Sequence, residues 1–290
     1  MILIVDPYQY FPFSNLISFQ GKKGVSEKIN PVLWKLLQFQ KKPTSNIILG
    51  DSRAGRFKSK FIRQVNGENY YNFSYSAGTL VEICNTFWWA NKQIDLKKVY
   101  IGINFNLYNT NNLVDRVAGG IEILDNSLLY LTNRNVSTAS YKLVKSALTG
   151  KKEKLGRPKM TEDTFWDYTL EKFSHRYYAN YQYPKNMFSE LQRISGFCRR
   201  NNIQLFFLVL PTHVSMQEKI AEYQLQDSYL RFISDLQVLG VVYDFNYPND
   251  ITKDRKNFRD PVHCRLKIML PLIEQIWGGA VGPGRIYNNT

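Results

Sequence analysis

Ser52 follows the apolar run Ile47-Ile48-Leu49 in the order Gly50-Asp51-Ser52-Arg53, and a helix-like segment begins at Ala54. A serine placed where a buried strand hands over to a helix is held rigidly, with backbone N–H groups around it. A hydroxyl nucleophile needs that setting and also needs a neighbouring base. The chain has three histidines, at 175, 213 and 263, and only His263 has an aspartate three residues earlier, in Asp260-Pro261-Val262-His263. An imidazole that takes the Ser52 proton, oriented by the Asp260 carboxylate, is the equipment of acyl transfer through a serine. Other readings stand beside this one. Gly50-Asp51-Ser52 also suits a plain turn, and Asp260-Pro261 also suits a helix start, with Asp as N-cap and Pro at the first helical position.

The elements that would position these residues alternate between strand and helix. Strands are predicted at 46–49, 70–74, 99–103, 204–210 and 241–244. Helices are predicted at 54–65, 79–91, 185–201, 215–239 and 265–277, with one more near 31–40 in an irregular lead-in. Short apolar strands joined by amphipathic helices imply a parallel sheet covered on both faces. Ligands in such sheets bind beyond the carboxyl ends of the strands. The stretch 105–183 is too long for a loop and is read as a helical, Tyr-rich and basic insertion after strand three, either an inert extension of the core or a substrate lid or partner surface. Residues 1–277 are read as one domain and 278–290 as a loose tail.

Composition narrows the classes. The 290 residues carry a net charge of +14 and are 44% hydrophobic, which fits a folded globular protein. The basic residues are scattered, as in Lys22-Lys23, Lys97-Lys98 and Lys151-Lys152-Glu153-Lys154, and no nucleic-acid module is present, so a nucleic-acid partner is not expected. Solvated surface charge and attraction to an acidic polymer both fit. Three cysteines, Cys84, Cys198 and Cys264, with no CxxC, argue against a disulfide framework or a zinc cluster and for core filling. Neither a metal-ligand spacing, a dinucleotide fingerprint, a Walker lysine nor a Gly-x-Ser-x-Gly elbow occurs, and no cofactor is expected. No apolar run reaches the roughly 20 residues of a membrane span. Met1–Val5 is apolar but stops at Asp6, without the build of a secretory signal.

Four short blocks fall at predicted strand ends or before the last helix: Gly50-Asp51-Ser52, Ser76-Ala77-Gly78-Thr79, Gly102-Ile103-Asn104 and Asp260-Pro261-Val262-His263. The set resembles the SGNH, or GDSL-like, hydrolase superfamily over roughly residues 46–277, the insertion excepted. That resemblance implies a three-layer, flavodoxin-like α/β fold with about five parallel strands, and ester chemistry on carbohydrates or lipids. Catalysis would fall to Ser52, Asp260 and His263. The oxyanion would be held by the N–H groups of Ser52 and Gly78 and the side-chain amide of Asn104, with Asn106 as the fallback. Asp51, Arg53 and His213 are the substrate-binding candidates, although His213 also reads as an ordinary loop histidine.

The sequence departs from the family pattern where Arg53 replaces Leu and where Phe105 and Asn106 follow Asn104. These departures, with the lead-in Asp6-Pro7-Tyr8-Gln9-Tyr10-Phe11, resemble the divergent branch that acts on cell-surface polysaccharides, often beside a membrane-bound O-acyltransferase. The expected function is a serine esterase or O-acyltransferase working on an acylated, possibly acidic, polysaccharide in the cell envelope. The alternative is a non-catalytic accessory protein of the same fold that binds polysaccharide or the membrane acyltransferase.

Overall fold

The computed structural model describes residues 2–12, 17–150 and 160–288. The basic run at 151–154 and the end of the tail lie outside the described residues. The chain divides into two compact units, Met1–Pro43 with Asp115–Lys159, and Thr44–Val114 with Met160–Thr290. This differs from one domain over 1–277 carrying one insertion at 105–183. Among the described residues, 115–150 group with the N-terminal helices, while 105–114 and 160–183 belong to the sheet-bearing unit.

In the first unit the helices Phe19–Ile29 and Pro31–Lys41 pack with Arg116–Asp125 and Arg134–Thr149. Asp6, fully buried, ties the lead-in down. Its carboxylate accepts the backbone N–H groups of Tyr10 and Phe11, each at 2.8 Å, and the Tyr130 hydroxyl at 2.5 Å.

The second unit holds the sheet. Its strands are β1 (Asn46–Leu49), β2 (Tyr71–Asn72), β3 (Lys98–Gly102), β4 (Gln204–Val209) and β5 (Val241–Asp244). A two-stranded ribbon, β6 (Phe258–Asp260) with β7 (His263–Cys264), lies apart from the sheet, and β8 (Arg285–Tyr287) completes the set. The sheet order is β2-β1-β3-β4-β5-β8. The first five strands are parallel and β8 is antiparallel to β5. Strand alternation sends Ile48, Tyr100 and Leu208 to one face, where they meet Ile62, Met269, Leu272, Ile273 and Trp277. That face is covered by the helices Ser59–Asn66 and Leu266–Gly278. The helices Leu80–Gln93, Lys185–Arg200 and Gln226–Leu239 group with one another and with β1, β4 and β5. The result is a six-stranded, mostly parallel sheet in a three-layer α/β arrangement. The chain leaves β1 toward β2 and returns to β3 on the other side. Parallel sheets of this order open a crevice between β1 and β3.

Three local expectations are corrected. The helix expected at 54–65 is a 3₁₀ turn, Ala54–Arg56, followed by an extended Phe57 that drops its ring into the core before the helix resumes at Ser59. The helix expected at 215–239 is broken into Val214–Glu222 and Gln226–Leu239 by Gln224, whose φ is +56°. The tail is not loose over its described part. The Gln275 side-chain amide donates to the Gly284 carbonyl and its carbonyl accepts the Gly284 N–H, both at 2.8 Å, which sets up β8.

Candidate active site

Gly50 ends β1 with φ +149°, a conformation that a side chain would strain. A Cβ on Gly50 would lie 2.7 Å from the Ala54 methyl, and one on Gly102 would lie 2.6 Å from that same methyl. The absence of both lets the turn that carries Ser52 fold down over the ends of β1 and β3. At the far end of the chain, Asp260 and His263 pair across the β6–β7 ribbon. Residues 260–261 are therefore not a helix start; the helix begins at Leu266.

These elements bring Ser52, His263 and Asp260 together. Ser52 Oγ lies 2.7 Å from His263 Nε2. His263 Nδ1 lies 2.8 and 3.0 Å from the two Asp260 carboxylate oxygens. An ionised carboxylate only accepts, so Nδ1 carries the proton and Nε2 is left to accept from the Ser52 hydroxyl. Asp260 also accepts the N–H groups of Val262 and His263, at 3.1 and 3.0 Å. Burial pushes its pKa up, but the hydrogen bond and charge of His263, the Val262 N–H and Arg259 outweigh burial and hold it below the ordinary carboxylate value. It therefore remains an anion that fixes the ring and can stabilise an imidazolium.

The oxyanion donors are arranged differently from the expectation. The Gly78 N–H donates to the Tyr75 carbonyl at 3.1 Å, closing a turn through Ala77 at φ +49°. Asn104 is held by the backbone of Leu210, donating from Nδ2 at 2.6 Å and accepting at Oδ1 at 3.2 Å. Its side-chain amide acts as one more peptide rung between β3 and β4. Asn106 is better placed to donate. Its Oδ1 accepts from Arg53 Nη2 at 2.7 Å, and its Nδ2 makes no hydrogen bond among the described residues. The Ser52 N–H likewise makes none.

Asp51 and Arg53 face each other rather than open space. Arg53 Nε lies 3.2 and 3.0 Å from the Asp51 oxygens, the Arg53 N–H donates to Asp51 at 2.9 Å, and both side chains are buried. The pair fixes the guanidinium that in turn orients Asn106. His213 caps the helix Val214–Glu222. Its Nδ1 accepts the Ser215 N–H at 3.2 Å, and its backbone N–H donates to the Pro261 carbonyl at 2.9 Å, steadying the ribbon that carries His263. Its ring stands edge-on to Trp166 and Phe258. His175 lies exposed on the helix Glu162–Tyr178. Cys264 adjoins His263, but burial pushes its thiol up to about 12, far from thiolate chemistry. Among the described residues no group of three His, Cys, Asp or Glu side chains is placed to hold a metal ion, and no helix is long and apolar enough to cross a membrane.

No family model matches the sequence, and no curated protein matches it either. A solved structure that resembles the chain is that of a proposed acylhydrolase from Bacteroides fragilis NCTC 9343. The two share 12% identity and a TM-score of 0.41, over 85% of this chain and 97% of that one.

Two outcomes follow from this wiring. Arg53→Met leaves Asp51 as an uncompensated buried charge and should cost about 3–5 kcal/mol in urea unfolding. Arg53→Lys should not restore it, because the forked contacts are lost. An Arg53→Met protein of unchanged stability and raised KM would instead make Arg53 a substrate contact.

The second concerns acid stability. Burial lowers the pKa of His213 from 6.5, and the neutral ring is the one that caps. Its folded-state pKa is depressed, so its contribution is complete above 6.5 and is lost as pH falls through the folded value. His213→Asn keeps a capping side chain without the titration, and should flatten that part of the stability curve in denaturation series. An identical slope in both proteins would remove His213 from the account.

Proposed function

We propose that this chain is a serine esterase or O-acyltransferase of the SGNH type, acting on acyl groups, acetyl foremost, carried by a carbohydrate. The observation that carries the proposal is the continuous contact from Ser52 Oγ through the His263 ring to the Asp260 carboxylate, at 2.7 and 2.8 Å. The reaction class follows from that chemistry. The carbohydrate part rests on the resemblance of the four sequence blocks.

In the proposed mechanism Ser52 Oγ attacks the acyl carbonyl as its proton passes to His263 Nε2. Asp260 stabilises the imidazolium. The oxyanion is met by the Ser52 N–H and by Nδ2 of Asn106, the latter aimed by Arg53. Collapse of the tetrahedral intermediate breaks the ester C–O bond, and His263 returns its proton to the departing sugar oxygen. The acyl-Ser52 ester is then attacked by a second hydroxyl, deprotonated by His263. Water as that hydroxyl makes the enzyme an esterase; a sugar hydroxyl makes it a transferase. Asn104 supports β3 and β4 and leaves the chemistry to Asn106.

The test is covalent. A fluorophosphonate probe should label Ser52 in the wild type and fail to label Ser52→Ala, which should also release no acetate from an acetylated sugar. Among the asparagines, Asn106→Ala should lower kcat by about 10²–10³-fold with little change in KM, whereas Asn104→Ala should act chiefly on stability. A wild type that is neither labelled nor active on esters would favour the non-catalytic accessory protein, and Ser52→Ala turning over like wild type would place the nucleophile elsewhere.

A further inference from the structure

The ribbon that carries the candidate base has one residue too many on its first strand. Phe258 pairs with Cys264 and Asp260 with His263, so Arg259 is the unmatched residue of a bulge in β6. Bulges re-aim side chains, and they recur beside active sites. Phe258 and Asp260 are buried, whereas Arg259 between them is exposed and its guanidinium turns back onto the neighbouring carboxylate. Its Nε and Nη2 lie 3.4 and 3.3 Å from Asp260 Oδ2.

The two oxygens of Asp260 are unequally furnished. Oδ1 accepts the Val262 and His263 N–H groups and stands 2.8 Å from His263 Nδ1. Oδ2 has the same ring nitrogen at 3.0 Å, and Arg259 is the only other donor to it among the described residues. Arg259 also borders an open cavity that holds three further carboxylates, Glu162, Asp163 and Asp254. Each of those is engaged elsewhere: Asp163 with Arg255, Glu162 with Arg265 at 4.0 Å, and Asp254 with the Lys256 N–H at 2.9 Å. Asp260 is the ion-pair partner of Arg259. The other titratable groups around the pair are Arg53, bound to Asp51; Arg56 on the 3₁₀ turn; the Cys264 thiol; and His213, whose backbone N–H holds the Pro261 carbonyl.

A cation on Asp260 works against an imidazolium at His263. The carboxylate is shared, and the guanidinium charge repels the ring proton. Burial pushes the Asp260 pKa up; against it the Arg259 charge is the smallest influence, after the His263 hydrogen bond, the His263 charge and the Val262 N–H. Losing Arg259 therefore leaves Asp260 an anion and acts on the imidazole. Arg259 is 56% exposed, so water and salt keep the effect modest.

We propose that Arg259 is a positioning residue acting through Asp260, which holds the second carboxylate oxygen and so keeps His263 a free base, and Ser52 activated, in more acidic surroundings than the Asp260–His263 pair alone would allow. The inference rests on the serine-ester reading and adds the pH regulation of that site. Arg259 takes no part in bond making or breaking.

Two measurements on the full-length chain test it. NMR of histidine-labelled protein follows the His263 ring, assigned by the signal lost in His263→Gln. In Arg259→Gln the ring should hold its proton to a pH about 0.3–0.7 higher than in wild type. The difference should shrink in about 1 M salt. Arg259→Lys, which keeps the charge, should return most of the wild-type titration. On a small acetyl ester the acid limb of kcat/KM in Arg259→Gln should move the same way, a loss of about 2- to 5-fold on that limb. The alkaline plateau and KM should stay within about 2-fold of wild type. An unmoved His263 titration, a move to lower pH, an equal loss at every pH, or a change in KM alone would overturn the proposal. If wild type hydrolyses no ester at all, the serine-ester reading fails, while the NMR titration still decides whether Arg259 governs His263.

Discussion

The arrangement turns on a missing pair of side chains. Gly50 and Gly102 stand at the ends of β1 and β3, and one methyl, that of Ala54, fills the room that either would need for a Cβ. The close approach forces the chain after β1 to double back over the sheet instead of running straight into a helix. It lifts Ser52 to the crevice where β1 and β3 part, and it sends Phe57 into the core as an anchor. A methyl group on either glycine would act on the backbone, and through it on every group the turn supports.

Around that turn the polar residues divide their tasks by burial. Asp51, the most tightly paired, holds Arg53; Arg53 holds Asn106; and Asn106 is left with an uncommitted amide. Asn104 does the opposite, with both ends of its amide given to the Leu210 backbone. Two asparagines separated by one residue thus follow different logics: one extends a ladder, the other is held at its oxygen by Arg53. Their separation by one extended-to-3₁₀ step at Phe105 is what turns them different ways.

Much of this was legible in the residues, and the remainder was hidden for physical reasons. The central parallel strands announce themselves because buried strands are continuous apolar runs, as in Ile47-Ile48-Leu49 and Leu205-Phe206-Phe207-Leu208-Val209. The block that carries Ser52 follows β1, as the strand-end reading expects, whereas Asp260 and His263, read as lying before the last helix, sit on the β6–β7 ribbon, where no strand was expected. The edge strand β8 carries no such run: its residues are Arg285, Ile286 and Tyr287, half in water, and its pairing depends on a distant glutamine. The break at Gln224 is equally silent, since a left-handed glutamine carries no signature. Gly78 and Asn104 matched a pattern of spacing, but spacing does not report which hydrogen bond a group already makes. Arg53, a departure from the expected pattern, was the available clue to Asn106, because a buried arginine requires acceptors on more than one side. The grouping of 115–150 with the lead-in helices depends on packing between segments far apart in sequence, beyond the reach of periodicity.

The contact between Ser52 and His263 spans 211 positions. Closing so long a stretch is entropically expensive, and it becomes favourable once the intervening strands are already paired. The turn that carries the hydroxyl and the ribbon that carries the imidazole have no short-range reason to meet. A partly folded chain would therefore hold a serine with an ordinary, unreactive hydroxyl. The Ser52–His263 contact is in this sense a property of the finished sheet, and it counts native molecules more stringently than helix content or compactness does. During synthesis the same distance means that the Ser52–His263 contact cannot form until the β6–β7 ribbon has emerged and docked.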